Sequence, residues 1–343
     1  MDRRQDEITR FRPDGMPLIH QRENTGVAHD SWLRGLMSWL AWPVLFAVCL
    51  LLTGWGFAHP DGYWPYLGFN GAYAVLIFSL YSLERHMPHE PTWQQPDGQN
   101  LASILHTLSS KGSSQAFLLA NTTIGANALI GTETGLLGLH LWPTDGPLWT
   151  QVIIALVLSE LMLYWAHRLA HEWMPLWRFH AVHHSVTKLW FLNTGRFHFV
   201  DSLVSIVLGI LPLVLLGASL EVLMWLGAVT AFIGMLTHCN VEMRFGPLSW
   251  IFNTPELHRW HHSKRLREGN SNYGENLMLW DQLFGSYFRE DRRPPTHIGI
   301  TDYMPPSFPA QILWPFLSRK RRELIAEAAG FRPRHRPPVR SQG

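Results

Sequence analysis

GPLWTQVIIALVLSELMLYWAHRLAH (residues 146–171) is an apolar run that ends in a pair of histidines. From Gly146 to His167 the run carries one acid, Glu160, and it is long enough for a membrane span, which needs ~20 residues. His167 and His171 are four positions apart and therefore share one face of a helix. The stretch predicts a transmembrane helix that ends in two candidate metal ligands.

Other apolar runs extend this prediction to the whole chain. Residues 36–58 and 63–83 carry no charge, 112–132 is a weaker candidate, and 202–237 carries only Glu221. The last run is too long for one helix, and the sequence LLGASLEV within it predicts a break. Only 16% of the residues are charged, against roughly 25% in ordinary soluble chains. We predict an all-α, integral-membrane helical bundle with four to six spans.

The distribution of cations predicts the orientation of the bundle. Lys and Arg cluster before the first span, after the second and fourth spans, and after the hairpin, whereas the short turns at 59–62, 143–147 and 217–221 have none. Cytoplasmic loops carry the excess of Lys and Arg. We therefore expect a multi-pass protein with both termini and all histidine boxes in the cytoplasm. We expect no cleavable signal peptide, because the first 30 residues lack an apolar core.

The same features predict how the chain is organised. We expect a polar cytoplasmic segment at 1–31, a membrane-embedded domain at 32–316 and a basic tail at 317–343. A net charge of only +2 predicts no nucleic-acid partner. Cys49 and Cys239 lie in no C-x-x-C pair, which disfavours a disulfide framework or a cysteine zinc site.

Two further histidine boxes repeat the chemistry of the first. Both have the spacing H-x-x-H-H, which we expect to place three rings on one helical stripe. Imidazole is the commonest metal ligand, and clustered rings are costly unless their lone pairs are used. Two histidines near the ends of the apolar hairpin raise the candidate ligands to ten: His167, His171, His180, His183, His184, His198, His238, His258, His261 and His262. Ten nitrogens imply two metal ions, with four or five nitrogens each and an open position for catalysis.

Ligand type alone does not choose among zinc, copper, iron and nickel. The H-E-x-x-H and H-x-x-E-H motifs of metallohydrolases are absent, as is the Glu-x-x-His pair of carboxylate di-iron bundles. A nitrogen-only dinuclear site beside apolar helices fits an iron pair that activates O2 against a lipid C–H bond. An alternative from another class is a histidine-rich membrane protein that binds or transports metal. Tight boxes outside the apolar runs disfavour it.

The order and gaps of the three boxes, together with NYGENLMLWDQLFGSYF at 272–288, resemble the fatty acid hydroxylase/sterol desaturase superfamily of integral-membrane di-iron enzymes. The resemblance runs from about residue 148 to 300. It implies a helical membrane bundle whose cytoplasmic helical cap carries two iron ions, with O2 as co-substrate and the box histidines as ligands. His238 and His198 match two further histidines of the family, although the family's His-Pro-x-Glu is His198-Phe-Val-Asp201 here.

The resemblance implies hydroxylation of a fatty acyl, sterol or related lipid. The short gap between the first two boxes favours the hydroxylase branch, and desaturation with the same metals stays an alternative. An external electron donor, such as ferredoxin or a cytochrome, is expected because no nucleotide or haem motif is present. Its candidate docking residues are Arg259, Lys264, Arg265 and Arg267.

Metal-bound histidines usually donate their second N–H to a carboxylate or carbonyl. Acids and amides near the boxes in sequence are the candidates for this supporting role: Glu160, Asp201, Asn240, Glu242, Glu256, Asn276 and Asp281.

Overall fold

The computed structural model describes residues 32–110 and 141–331 of the chain. Its first half begins with a hairpin of α1 (Trp32–Phe57) and α2 (Trp64–His86). A 3-10 turn, Pro91–Gln94, and the helical residues 100–110 (α3) follow. The predicted segment 1–31, the predicted span 112–132 and the tail beyond residue 331 lie outside the described residues.

The second half contains the quoted stretch and a second hairpin. Helix α4 (Leu148–Glu172) is followed by the short helix α5 (Met174–His184). The hairpin consists of α6 (Phe199–Leu216) and α7 (Leu220–His238). The remaining helices are short: α8 (Leu248–Ile251), α9 (Pro255–His261), α10 (Leu266–Gly269), α11 (Leu279–Leu283), α12 (Phe308–Leu313) and α13 (Arg319–Ala328). Among the described residues there is no strand, only isolated bridges.

Five of these helices, α1, α2, α4, α6 and α7, are long and apolar enough to cross a membrane. Their outer faces are apolar: Leu51 and Phe78 are each 73% exposed. Apolar side chains exposed along whole helices have a favourable environment in a bilayer. The prediction of an all-α membrane bundle is confirmed.

The predicted break in the second hairpin is confirmed in detail. Gly217 ends α6 in the left-handed region, with φ of 96°, where a side chain would be strained. Ser219 then caps α7, because its hydroxyl accepts a hydrogen bond from the Val222 backbone N–H at 3.3 Å. The turn between α6 and α7 therefore takes three residues.

Helix α1 packs against α2 through glycines. A Cβ added at Gly68 would lie 2.7 Å from the Gly56 Cα, so the two backbones touch directly. Small residues at such crossings are typical of membrane helix pairs. The hairpin then packs on α7 through an apolar cluster that includes Trp42, Leu76 and Phe232.

One end of the bundle collects the ends of several helices. In α2, a Glu84 carboxylate oxygen accepts hydrogen bonds from the backbone N–H groups of Phe191 and Asn240, each at 2.9 Å. This joins the end of α2 to the end of α7. Helices α5, α9, α10 and α11 lie around the same end, which we call the cap end. The predicted helical cap is thus formed by short helices that follow the long ones in sequence.

Candidate metal centre

Nine of the ten predicted histidines meet at the cap end in two groups. The first group has five rings: His167, His171, His180, His184 and His261. The second group has four rings: His183, His238, His258 and His262. In each group the potential ligand atoms lie within 4.8 Å of one another, and eight of the nine residues are buried. The groups are adjacent, since the rings of His184 and His262 stack at 4.3 Å.

Each H-x-x-H-H box serves both groups. On α5, His180 and His184 belong to the five-histidine group, and His183 belongs to the other. In the third box, His258 and His262 belong to the four-histidine group, and His261 belongs to the first. Positions i and i+4 point the same way on a helix, and the ring at i+3 is rotated from them. The three rings of a box are therefore divided between two groups, instead of lining one stripe as the sequence suggested.

The five-histidine group presents lone pairs toward its centre. Nδ1–H of His167 donates to the Tyr273 carbonyl at 2.7 Å, and Nδ1–H of His261 donates to the Ser271 carbonyl at 2.7 Å. Nδ1–H of His180 donates to the Asp201 carboxylate at 2.9 Å. A neutral ring that donates from Nδ1 keeps its lone pair on Nε2. These three Nε2 atoms are buried without a hydrogen-bond partner, which fits a bound cation.

The four-histidine group converges in the same way. Nε2 of His258 lies 2.8 Å from Nε2 of His238 and 3.1 Å from Nε2 of His262. His183 stands beside them, with its ring stacked on Phe197 at 4.1 Å. Several imidazole nitrogens this close together, in a buried site, fit a shared metal ion.

Burial keeps the cap histidines neutral. It lowers the pKa of His183, His184, His258, His261 and His262 well below the ordinary value, and the neighbouring imidazoles lower the pKa further. Neutral imidazole is the form that binds metal. The protein therefore supplies ligands that need not lose a proton first.

The tenth predicted ligand, His198, lies outside both groups. Its Nε2–H donates to the Ile312 carbonyl at 3.1 Å, and its Nδ1 accepts from the Val200 backbone N–H at 3.2 Å. Both nitrogens are used, so His198 caps α6 and attaches the α12 segment to the bundle. The departure from the family's His-Pro-x-Glu pattern coincides with this position.

Four of the predicted supporting residues lie around the groups. Asp201 orients His180 directly. The Glu160 carboxylate accepts from the Asn276 backbone N–H at 2.8 Å and from its amide at 2.9 Å. Asp281 accepts from the backbone N–H groups of Tyr273 and Gly274, each at 2.7 Å. These contacts fix the 272–276 loop, whose Tyr273 carbonyl orients His167.

The other predicted supporting residues act elsewhere. Asn240 bonds the backbone of Glu90, Glu242 pairs with His89 and Arg293, and Glu256 pairs with Arg289 at 3.1 Å.

Among the predicted docking cations, Arg259 is 2% exposed and donates to the Cys239 and Val241 carbonyls. It is therefore not available on the surface.

Several supporting groups were missed in the sequence analysis. The Asn193 side-chain oxygen lies 3.1 Å from His238 Nδ1, and that of Asn270 lies 3.3 Å from His171 Nδ1. The Asn253 amide lies 3.4 Å from His258 Nδ1, five residues before that histidine. Asn253 was detectable as an amide beside the third box. The Tyr273 and Ser271 carbonyls belong to the backbone, so the residue types at these positions do not predict their role.

A cavity of about 520 Å³ opens onto both groups. It reaches His167 of the first group and His183, His238 and His258 of the second. Away from the histidines its walls are mostly apolar and come from α2, α3, α4, α6 and α7, with Ile210, Leu223 and Leu226 far from the cap end. Apolar cavities of several hundred Å³ with a few polar groups are typical ligand sites.

Comparison with known proteins shows to which family the chain belongs. A family model described as fatty acid hydroxylase matches residues 152–286. The ornithine lipid hydroxylase OlsE of Rhizobium tropici is 49% identical over 87% of this chain and 89% of its own length. The chain belongs to the fatty acid hydroxylase/sterol desaturase superfamily. Membership makes it an integral-membrane oxidoreductase of the hydroxylase and monooxygenase type, as predicted.

More distant relatives match less than half of this chain. An alkylglycerol monooxygenase of Xenopus tropicalis is 30% identical over 44% of this chain and 33% of its own length. A very-long-chain aldehyde decarbonylase of Arabidopsis thaliana is 26% identical over 42% of this chain and 24% of its own length. No solved structure matches the chain. Family membership favours an oxidoreductase over the alternative of a metal transporter.

Proposed function

We propose that this hydroxylase is a di-iron enzyme that uses O2 to hydroxylate a C–H bond of a membrane lipid, with an ornithine-type lipid as its substrate. One observation carries the proposal: an apolar cavity opens onto both groups of buried histidines. The apolar cavity would hold the lipid, and each histidine group would hold one metal ion. The 49% identity to an ornithine lipid hydroxylase supports the lipid class.

The chain's own residues have three tasks in this reaction. The five- and four-histidine groups would each hold one iron ion, and the iron pair, when bound, supplies the activation of O2. Asp201 and the Tyr273 and Ser271 carbonyls hold the rings so that Nε2 faces inward. The apolar walls exclude water and hold the lipid with one carbon beside the histidines, since placing the reacting atoms correctly contributes much of the rate.

Electrons reach the site from an external protein in this proposal. Lys264, Arg265 and Arg267 are exposed on the cap end, around Leu266, which is 76% exposed. The chain continues through α10 to Asn270 and Ser271, which contact His171 and His261. An acidic donor, such as a ferredoxin or a cytochrome, would be attracted to this surface. Under the positive-inside rule, these cations also support our proposal that the cap end lies in the cytoplasm.

The test uses membranes that contain the wild-type protein, His261→Ala or His198→Ala. Each is incubated with ornithine lipid, reductant and isotopically heavy O2, and the lipid is analysed by mass spectrometry alongside iron content. We expect wild type to add one heavy oxygen atom to the lipid and to hold two iron ions. His261→Ala should lose product and iron, because a ligand of the five-histidine group is gone.

His198→Ala is the matched control, because it removes a buried cap histidine that lies in neither group. It should keep both iron ions. Full hydroxylation and undiminished iron in His261→Ala would refute the dinuclear proposal. A product that has lost two hydrogens without gaining oxygen would show the desaturase alternative instead.

A further inference from the structure

Glu275 occupies an unusual position in the cavity. Of the cavity-lining residues in the described part of the chain, it is the one Asp, Glu, Lys or Arg. It also lines a small adjoining cleft, together with His167, His180 and Asp201. Its carboxylate therefore lies where the apolar cavity meets the five-histidine group.

Within the described ranges, the Glu275 side chain has no hydrogen bond and no ion pair. The charged groups that act on it are Glu160 and Asp201, both acids that are already bonded to Asn276 and His180. Burial and these like charges raise the pKa of Glu275 to about 8. A carboxylate in such a place is costly unless a cation or several donors satisfy it.

The lining limits what can lie beside this carboxylate. An alkyl chain would leave the carboxyl oxygens without a hydrogen-bond partner, and an anionic group placed beside them would meet no cation, since no Lys or Arg is among the described residues that line the cavity. An amine satisfies it, because an ammonium group supplies both charge and three donors.

We propose that Glu275 is a specificity-determining residue that binds the cationic amine of the lipid's polar group. This inference rests on the proposed function and deepens it: the substrate is a lipid with an amino headgroup, and the amine enters the cavity. The acyl part then lies against the apolar walls toward Ile210, Leu223 and Leu226. The carbons near the amine are thereby brought to the histidine groups.

The experiment is a competition between two lipids on wild type and Glu275→Gln in membranes. One lipid is ornithine lipid, and the other is the same lipid with its side-chain amine acetylated, so that this amine carries no charge. Wild type should hydroxylate the amine form with kcat/KM on the order of 10- to 100-fold higher, the range of a charged hydrogen bond. Glu275→Gln should reduce this preference to within about threefold, because the amide carries no charge. Glu275→Asp should retain most of it.

Iron content and thermal stability are measured for every variant. The matched control is Glu221→Gln, which removes an exposed acid at the opposite end of α7 and should keep the preference. If Glu275→Gln hydroxylates both lipids more slowly by the same factor and keeps the preference, the inference about Glu275 is wrong and the proposed function stands. Loss of iron in Glu275→Gln would also overturn this inference. If wild type hydroxylates neither lipid, the proposed function fails and the inference fails with it.

Discussion

Asp201 determines which nitrogen of His180 carries the proton. Its carboxylate accepts Nδ1–H at 2.9 Å, so the lone pair is on Nε2, the atom that faces the other rings. Such outer contacts fix the orientation of a ligand and raise its basicity.

Replacing this acid tests that role. We expect Asp201→Ala to weaken iron binding by about 10- to 100-fold, the usual effect of losing a supporting carboxylate. Chelator titration of the purified protein, followed by iron release, measures this. Glu256→Ala is the control, because Glu256 pairs with Arg289 and has no hydrogen bond to a histidine in the described part of the chain. Equal iron affinity in both variants would contradict the assignment.

At the scale of single residues, the sequence predicted the histidines of the two groups far better than the groups that hydrogen-bond to them. The eight box histidines are recognisable because their spacing repeats, and all eight lie in the two groups. Asn193 is 45 positions from His238, and Tyr273 is 106 positions from His167. Such contacts depend on tertiary structure, and a backbone carbonyl leaves no trace in residue type.

Two helices, α2 and α4, extend beyond the apolar stretches of sequence that predict them. The charge-free run 63–83 predicts a span that stops before Glu84, yet α2 continues to His86. Glu84 is buried and accepts backbone hydrogen bonds from Phe191 and Asn240, so its charge does not end the helix. Likewise α4 continues beyond its apolar run to Glu172, because the first box is part of the same helix.

The glycine contact between α1 and α2 gives an element-scale prediction. Gly68→Ala would place Cβ within 2.8 Å of backbone atoms of Leu52 and Gly56, so the helices must move apart. Overpacking of this kind costs about 1–3 kcal/mol. We expect a lower thermal midpoint in detergent, measured by size-exclusion chromatography after heating.

Gly71→Ala in the same helix is the matched control. A Cβ at Gly71 meets nothing within 4 Å, so its midpoint should equal that of wild type. Identical midpoints for all three proteins would show that the α1–α2 contact does not support stability.

The whole molecule has two chemically different ends. The cap end carries the histidines and the exposed cations Lys264, Arg265 and Arg267, whereas the α1–α2 and α6–α7 turns carry no Lys or Arg. Under the positive-inside rule we expect the cap end to lie in the cytoplasm. If both termini also lie on that side, as we expect, the number of crossings would be even, which is one more than the five described spans.

Cysteine labelling tests this orientation. The two native cysteines, Cys49 and Cys239, are fully buried and give a low background. A membrane-impermeant thiol reagent should label Asp61→Cys, in the α1–α2 turn, on intact cells. It should label Lys264→Cys only after permeabilisation, and wild type not at all. Labelling of Lys264→Cys on intact cells would reverse the orientation.

The division of both H-x-x-H-H boxes between the two groups also bears on how the proposed iron ions would bind and leave. Because α5 and α9 each contribute to both groups, unwinding either short helix would remove histidines from both proposed iron sites at once. Metal binding and local folding are then one event. Iron should leave as a pair, and native mass spectra taken during chelation should show chains with two ions or none, with singly loaded chains scarce. The two H-x-x-H-H boxes would thus couple the two iron sites, so that both sites form together and are lost together.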